Sequence, residues 1–444
     1  MLSHLDLRSQ AASGRSASLP GLRGHGGRLI ASEETAAIVE HVRAGGPGAM
    51  RWGSGQLGPS DTRYQALDPD LAARALASLP SPTQARMEGL ADRIRSDCLL
   101  AAGREREHEL SPGVRVVHRR VAVDRVGLYL PSGGSTIGAV SSLLWYAFCA
   151  RAAGVRSVAV AIDPRSPESM HQLVMAACHI AGAHEVYSVG GAEAIALLAY
   201  GSGGCDPVDL IAGPDDQESR EAKSLVSPDV DVLHVARTRA FAILADRWAN
   251  PNLVAADIVD VAEGRSWRDV FLVTPGEGFA EDVVVAVQAR LRLGQTHADH
   301  GEAARDPLGT VALVDDMEHA LAVVDTCAPM DVAIHSAYAW SYAARIRRAE
   351  TVYVGAHSPF ALRSLGLTRP LVSTTPQGTS RREVSPGDFL RDARVVHCTR
   401  QGLESLSDEC ESAAHADSAT PTSAAVAARW ETSIAHSRTH DRGR

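Results

Sequence analysis

Along most of the chain, the hydrophobic positions alternate between two patterns, one typical of strands and one typical of helices. Short apolar and β-branched runs predict buried strands, and the longer segments between them have the three-to-four spacing of helices. Ahead of this alternation, the helical spacing predicts a helix at 32–44 and a helical region at 69–104 with breaks at Pro80 and Pro82. Two strand-like runs then share residues 114–130.

Two successive series of alternating strands and helices follow. The first series has predicted strands at 155–162, 185–189 and 208–213 and predicted helices at 139–153, 167–182 and 191–200. The second has predicted strands at 240–246, 269–274, 309–316, 332–336 and 351–355 and predicted helices at 251–263, 279–293, 317–327 and 339–348. This alternation predicts an α/β fold with two doubly wound lobes. Ligands of such folds bind beyond the carboxyl ends of the strands or between lobes.

Composition and the two series together predict the domain boundaries. Residues 1–27 are rich in Ser, Arg and Gly without periodicity, which predicts a flexible arm. The first lobe is predicted to be discontinuous, from 28–128 and 240–381, and the second lobe to span 129–239. Residues 382–444 are predicted to form a C-terminal segment with a frayed tail, because the tail is rich in Ala, Ser, Thr and His.

Charge and composition exclude several classes of protein. The chain has 444 residues, with 44 Lys plus Arg against 53 Asp plus Glu, and a net charge of −9 argues against a general nucleic-acid binder. Its seven cysteines have no C-x-x-C spacing, which predicts a reduced, cytoplasmic chain without a disulfide framework. No apolar run reaches the roughly 18 residues of a membrane span. Lys223 is the only lysine, so no other lysine can supply a Schiff-base amine or a P-loop cation.

Three glycine-containing segments are expected to place loops at one edge of one sheet. GLYLPSGGS at 127–135 and VDLIAGP at 208–214 each end a strand in a turn, and VGGAEAIALLAYG at 189–201 joins a strand to a helix. Such loops can cradle a flat or phosphorylated ligand. The G-x-G-x-x-G match at 53–58 is interpreted as coil, because no strand precedes it and Pro59 follows it.

These segments resemble the histidinol dehydrogenase family. The resemblance is carried by R-V-G-L-Y-x-P around Tyr129, V-G-G-A-x-A-I-A-x-L-A-Y-G at 189–201 and V-D-x-I-x-G-P at 208–214, and it extends over residues 30–411. It implies a homodimer of two large Rossmann-like lobes with small accessory segments. It also implies the use of NAD and one zinc ion to oxidise an amino alcohol to an acid in two hydride transfers.

The family's zinc and catalytic positions are replaced in this chain. Its metal-binding S-Q-A-E-H reads D-V-A-E-G at 260–264, and valine and glycine offer no donor to zinc. Its A-P-E-H-L continues here with Met330 and Asp331, and its ligand aspartate aligns with Ser364. A zinc site needs about four donors, or three and a water. We therefore expect a zinc-independent protein without the family's alcohol oxidation.

The family's cofactor positions are altered as well. Tyr129 is kept, but the glutamine of G-G-A-Q is Glu193 and the asparagine of G-P-G-N is Asp216. Two carboxylates would repel a pyrophosphate. The resemblance still identifies these three residues as the cofactor-binding positions, and it leaves NAD open as a cofactor.

Arginines align with the vacated cleft. Arg237, Arg239, Arg363 and Arg369 align with or near positions that line the family's zinc and substrate cleft. We hypothesise that their guanidinium groups replace the charge of the metal and, with Tyr129, bind a carboxylate or phosphate of the substrate.

Three acidic residues are the predicted catalytic groups. Asp260, Glu263 and Asp331 could act as acid or base if burial raises a pKa. The alternative is that the arginines form internal ion pairs with these same acids and only fill the space.

The predicted function is that of a divergent, zinc-independent enzyme of the histidinol dehydrogenase type. We expect a small anionic or amino-acid-derived substrate from specialised-metabolite biosynthesis and a non-redox step such as cyclisation, isomerisation or elimination. One alternative is a retained NAD-linked oxidoreductase with relocated catalytic groups, and the other is a pseudoenzyme that serves as a binding or scaffolding dimer. The expected partners are the small-molecule substrate and a second copy of the chain, with neither nucleic acid nor membrane.

Overall fold

The computed structural model describes most of the chain in separate ranges. These are residues 2–9, 31–45, 69–101, 106–133, 136–183, 185–202, 204–235, 240–263, 269–294, 308–373 and 382–416, with Ala425, Ala428 and Arg429. Within these ranges, no helix combines the length and apolar character needed to cross a membrane. The chain divides into a larger unit, Met1–Ala102 with Val123–Phe389, and a smaller unit, Gly103–Ala122 with Leu390–Arg444.

The described strands and helices follow the predicted alternation. The strands are β1 (Leu2–Asp6), β2 (Arg106–Ser111), β3 (Val114–Ala122), β4 (Arg125–Leu130), β5 (Ser157–Ile162), β6 (Glu185–Ser188), β7 (Leu210–Ala212), β8 (Asp231–Val232), β9 (His234–Val235), β10 (Ala240–Ala245), β11 (Asp269–Thr274), β12 (Gly309–Leu313), β13 (Asp331–His335), β14 (Thr351–Val354), β15 (Leu371–Ser373), β16 (Arg382–Glu383) and β17 (Leu390–Cys398). The helices are α1 (Glu33–Gly45), α2 (Pro69–Ala77), α3 (Ser81–Leu100), α4 (Thr136–Ala153), α5 (Glu168–Ala181), α6 (Gly191–Tyr200), α7 (Gln217–Val226), α8 (Pro251–Glu263), α9 (Glu277–Gly294), α10 (Met317–Cys327), α11 (Ala339–Ala343) and α12 (Arg400–Ala416).

A six-stranded parallel sheet forms one half of the larger unit, in the order β1-β12-β11-β10-β13-β14. Its central strands β10, β11 and β13 are buried on both faces because helices cover both. Val254 and Ile258 of α8 and Val283 of α9 pack on one face, and Val323 and Val324 of α10 pack on the other. From β10 the chain adds β11 and β12 on one side, and it then returns to add β13 and β14 on the other side. The sheet is therefore doubly wound, which confirms the predicted fold class.

A five-stranded parallel sheet forms the other half, in the order β6-β5-β4-β7-β8. Helices α1, α6 and α7 contribute to its core, with Val39, Ile195 and Val226 among the buried residues. The predicted boundary between residues 128 and 129 falls inside β4, which pairs along its whole length with β5. A small antiparallel sheet of β16, β15 and β9 completes the larger unit.

The prediction of a flexible arm at 1–27 is wrong for its first residues. Leu2–Asp6 forms β1 and pairs in parallel with β12 at the edge of the six-stranded sheet. Leu7 is then buried in the core beneath this sheet. Composition did not predict this strand, because its hydrogen-bond partner lies about 300 residues away along the chain. Residues 10–30 lie outside the described ranges.

The smaller unit is an antiparallel sheet in the order β17-β3-β2, with α12 after β17. β17 and β3 pair over nine residues, from Leu390 with Ala122 to Cys398 with Val114. The predicted C-terminal segment therefore begins with residues that belong to the larger unit, since Arg382 to Phe389 lie there. Local composition does not show which strands a C-terminal segment joins.

Candidate functional site

Two groups of ionisable side chains lie at strand ends of the larger unit. One, the Asp331 cluster, consists of Asp331, Tyr353 and Arg363. The other, the Tyr129 cluster, consists of Tyr129, Asp216, Glu218 and Glu193, at the carboxyl edge of the five-stranded sheet.

The Asp331 cluster is built around a fully buried carboxyl group. Asp331 is the first residue of β13, whose following residues are all buried. Arg363 donates from Nη1 to both carboxylate oxygens, at 3.2 Å and 3.4 Å, and the Tyr353 hydroxyl donates to Oδ1 at 3.4 Å. Burial raises the pKa of the Asp331 carboxyl, and the charge of Arg363 opposes the shift only in part.

Arg363 is held by a short 3₁₀ helix, Phe360–Leu365. At the start of this helix, the backbone N–H of Phe360 donates to Oδ1 of the buried Asp257 at 3.3 Å. Oδ2 of Asp257 lies 2.9 Å from Nε2 of the equally buried His335. Two buried carboxylates thus hold this segment: Asp257 on α8 binds its first residue, and Asp331 on β13 binds the Arg363 side chain.

Arg369 pairs with an acid that was not among the predicted ones. Its Nε donates to Oδ2 of Asp97 on α3 at 2.7 Å, and its guanidinium lies 5.5 Å from the ring centre of Trp145. Burial raises the pKa of Glu383, and the charges of Arg369 and Arg363 both oppose this shift. The charges of Arg369 and Arg363 thus both act on one carboxyl group that the sequence did not indicate.

The remaining predicted groups of this cleft are exposed or lie outside the described part of the structure. Asp260 is exposed on α8, and Glu263 is the last residue of that helix, with its side chain outside the described part. Arg237 and Arg239 lie outside the described residues.

The residues around Asp331 do not fit a zinc ion of the family's kind. Val261 is completely buried in the apolar core of α8 and supplies no donor. Asp331 is already paired with a guanidinium. Among the residues that the structure describes, no three His, Cys, Asp or Glu side chains are grouped as metal ligands.

The Tyr129 cluster links the ends of β4 and β7 to two helices. The buried Tyr129 hydroxyl donates to Oδ2 of Asp216 at 3.0 Å and accepts from the Gly191 N–H at 2.9 Å. Asp216 is the N-cap of α7 and also accepts from the Ser219 N–H at 2.8 Å. Burial and the charge of Asp216 raise the pKa of Tyr129, so the hydroxyl stays protonated.

Further carboxyl groups surround this tyrosine. Glu218, in the first turn of α7, accepts from the Ala192 N–H at 3.0 Å. Burial, and then the charge of Glu218, raise the pKa of Glu193 to about 6. The nearby cation is Arg165, whose Nη2 donates to the buried Asp163 at 2.7 Å.

The cofactor positions therefore meet, but they do not fit a dinucleotide. Tyr129, Asp216 and Glu193 lie at one sheet edge, as the resemblance implies. Two of them carry carboxyl groups. Glu218 adds a third, which accepts from the Ala192 N–H at the start of α6, where a phosphate would bind. A pyrophosphate placed here would meet like charges and occupied donors.

Sequence reasoning missed several residues of both clusters. Glu218, Glu383, Asp97 and Tyr353 contact or influence predicted residues, and Asp257 accepts a hydrogen bond at the start of the segment that carries Arg363. Only Glu218 had a local signal, because it lies two residues after the Asp216 cap, but an acid is common in the first turn of a helix and does not indicate a functional site. The other contacts join distant segments, and no pattern of neighbouring residues reports them.

Comparisons with known proteins agree with the fold. A family model for histidinol dehydrogenase matches residues 28–430. The chain is 34% identical over 439 residues to histidinol dehydrogenase of Thermobifida fusca, covering 97% of this chain and 98% of that protein. It is 36% identical over 335 residues to that of Corynebacterium efficiens, covering 74% of each. The crystal structure of histidinol dehydrogenase from Elizabethkingia anophelis shares the fold, with a TM-score of 0.79 at 18% identity over 97% of this chain and 98% of that one. The chain belongs to the histidinol dehydrogenase family.

Proposed function

We propose that this family member is a zinc-independent enzyme that acts on a small anionic or amino-acid-derived substrate in specialised-metabolite biosynthesis. The proposed step is non-redox, such as a cyclisation, isomerisation or elimination. The observation that carries the proposal is the ion pair between Arg363 and Asp331, where the resemblance expects a catalytic imidazole. Relatives that carry the name of an enzyme support a catalytic role in general.

Arg363 is the group proposed to contact the substrate. Its side chain is 25% exposed, whereas that of Asp331 is fully buried. A guanidinium can bind a carboxylate or phosphate through two parallel hydrogen bonds. In this proposal Asp331 is a positioning residue that orients Arg363. Of the other predicted acids, Glu263 remains the candidate acid or base, whereas the exposed Asp260 lacks the burial that this role requires.

A second candidate is a non-catalytic binding protein. It is favoured by the complete burial of Asp331 and by the engagement of Arg369 with Asp97 and Trp145. Both features match internal ion pairs that fill the space of a lost metal site.

The first test is the family's own reaction. Purified protein is incubated with histidinol and NAD, with and without added zinc, and NADH is followed by absorbance. We expect no NADH under either condition, because the zinc donors are replaced. Zinc-dependent NADH formation would reject the proposal.

The second test concerns Arg363. The thermal unfolding midpoint is measured with a panel of small carboxylates and phosphates for the wild type, Arg363→Gln and the control Arg345→Gln. Arg345 forms an exposed ion pair with Glu318, so the control removes a surface guanidinium only. We expect a ligand that raises the midpoint of the wild type and the control but not of Arg363→Gln. An equal response of all three rejects the role of Arg363, and no response to any ligand favours the non-catalytic candidate.

We also propose that the chain forms a homodimer, which its membership of the family supports. Light scattering during size-exclusion chromatography is expected to give twice the mass of the chain. A monomer at micromolar concentration would contradict this proposal.

A further inference from the structure

We propose that Glu218 is an internal anion that occupies the N-terminus of α6 and closes this edge of the five-stranded sheet to dinucleotides. In this proposal Glu218 is the residue that prevents the five-stranded sheet from binding a dinucleotide, the ligand that sheets of this fold commonly bind at this edge. The inference does not depend on Arg363 as the substrate-binding group, because it concerns the other large sheet.

The position of α6 makes its N-terminus the natural anion site of this sheet. β6, β5, β4 and β7 are parallel, so the loops that follow them leave from the same edge. α6 begins at Gly191, just after β6, and is ten residues long. The first N–H groups of such a helix and its dipole attract phosphates at the carboxyl ends of strands.

Both of the first two amides of α6 already have partners within the chain. The N–H of Gly191 donates to the Tyr129 hydroxyl at 2.9 Å, and the N–H of Ala192 donates to Oε1 of Glu218 at 3.0 Å. A carboxylate on a helix N-terminus satisfies the amide and the dipole in the same way as a bound phosphate. Glu218 therefore takes the place that an external anion would need.

A capped helix carries Glu218, and a glycine leaves room for its carboxylate. Glu218 lies in the first turn of α7, which Asp216 and Ser219 close with a reciprocal capping box. Gly191 has a φ of 57°. A Cβ atom at Gly191 would overlap the carboxylate of Glu218, so the close approach depends on a glycine at this position.

The charges around the site also oppose a phosphate. Glu193, the third residue of α6, has a pKa raised to about 6 by burial and by the charge of Glu218, and is therefore mostly ionised at neutral pH. Asp216 adds a third carboxylate, bonded to Tyr129. Arg165 is the neighbouring cation, and it is paired with Asp163. An incoming pyrophosphate would meet three like charges in a partly desolvated site.

The test is a gain of binding on removal of the Glu218 charge. ADP is titrated by calorimetry and NADH by its fluorescence into the wild type, Glu218→Gln and Glu218→Ala, at about 0.15 M salt. We expect affinity to rise by at least about tenfold in Glu218→Gln, which removes charge and keeps size, and further in Glu218→Ala, which also frees the Ala192 amide. The matched control is Glu281→Gln, which changes the net charge equally at an exposed position of α9 on the six-stranded sheet.

Two outcomes would overturn the inference. One is a wild type that binds ADP or NADH as tightly as Glu218→Gln, and the other is a folded Glu218→Ala that gains no affinity. If the Glu218 variants do not fold, Glu193→Gln serves instead, because it removes a like charge without touching the amides, and its failure to gain affinity counts equally against the inference. None of these results changes the ligand response assigned to Arg363, so the two proposals fail separately.

Discussion

Replacing Arg363 by methionine is expected to destabilise the protein because it leaves the Asp331 carboxylate buried without its counter-charge. Removing one partner of a buried ion pair costs about 3–5 kcal/mol of unfolding free energy. Asp331 is fully buried, but the Arg363 side chain is 25% exposed, so water already screens part of the interaction. We therefore expect a loss of about 2–4 kcal/mol of unfolding free energy at neutral pH, which is the range for a fully buried pair reduced by this screening.

The loss should depend on pH in a defined direction. Burial already raises the pKa of Asp331, and removal of Arg363 takes away the charge that opposes this shift. A carboxyl group whose pKa is higher in the folded state than in the unfolded state holds its proton more tightly when folded. Its contribution to stability is complete below the unfolded pKa and is lost as the pH rises through the folded pKa. The variant should therefore approach the wild type near pH 4 and fall further below it toward pH 7, by about 1.4 kcal/mol for each added unit of pKa.

The assay is urea denaturation followed by circular dichroism between about pH 4 and pH 8. Arg363→Met is compared with Asp331→Asn, with the double variant and with Arg345→Met as surface control. The double variant should recover most of the stability and show a flat pH dependence, since no unpaired buried charge remains. The reasoning is refuted if Arg363→Met unfolds like the wild type at every pH, or if Asp331→Asn does not relieve its defect.

Three further predictions test other parts of the larger unit. Glu193 has a raised pKa, so the wild type loses stability from pH 5 to pH 7.5, and Glu193→Gln removes this loss. The stability of the variant relative to the wild type should therefore be about 1 kcal/mol greater at pH 7.5 than at pH 5, a value reduced for the partial exposure of Glu193 and measured by chemical denaturation at both pH values. Lys223→Met should cost about 3–5 kcal/mol or prevent soluble expression, because it leaves the buried Asp215 carboxylate without its ammonium; a surface arginine variant made in parallel should express normally. Gly213→Ala should cost at least about 2 kcal/mol, since φ is 109° there and a Cβ would overlap the Tyr129 carbonyl oxygen; a thermal midpoint equal to the wild type would contradict this.

The regular elements were predicted from the sequence because their signals are local. The apolar runs that form β10, β11 and β13 lie within a residue or two of their predicted positions, and each is buried on both faces. The same argument failed for β1, whose short sequence carries little apolar signal and whose partner β12 is far along the chain. Hydrophobic periodicity reports that a segment is buried, but not which segment covers it.

The sequence by itself determined the α/β class, the order of the elements, the family likeness and the identity of the residues at 260–264, because each follows from residue identity or local spacing. Only the tertiary structure decided which charges meet. Arg369 pairs with Asp97 on α3, and Glu218 reaches the Ala192 amide across two helices. These contacts join residues far apart along the chain, and the packing of helices against sheets sets them. The chemistry of the Asp331 and Tyr129 clusters is therefore a property of the fold, although the residues that make it are all visible in the sequence.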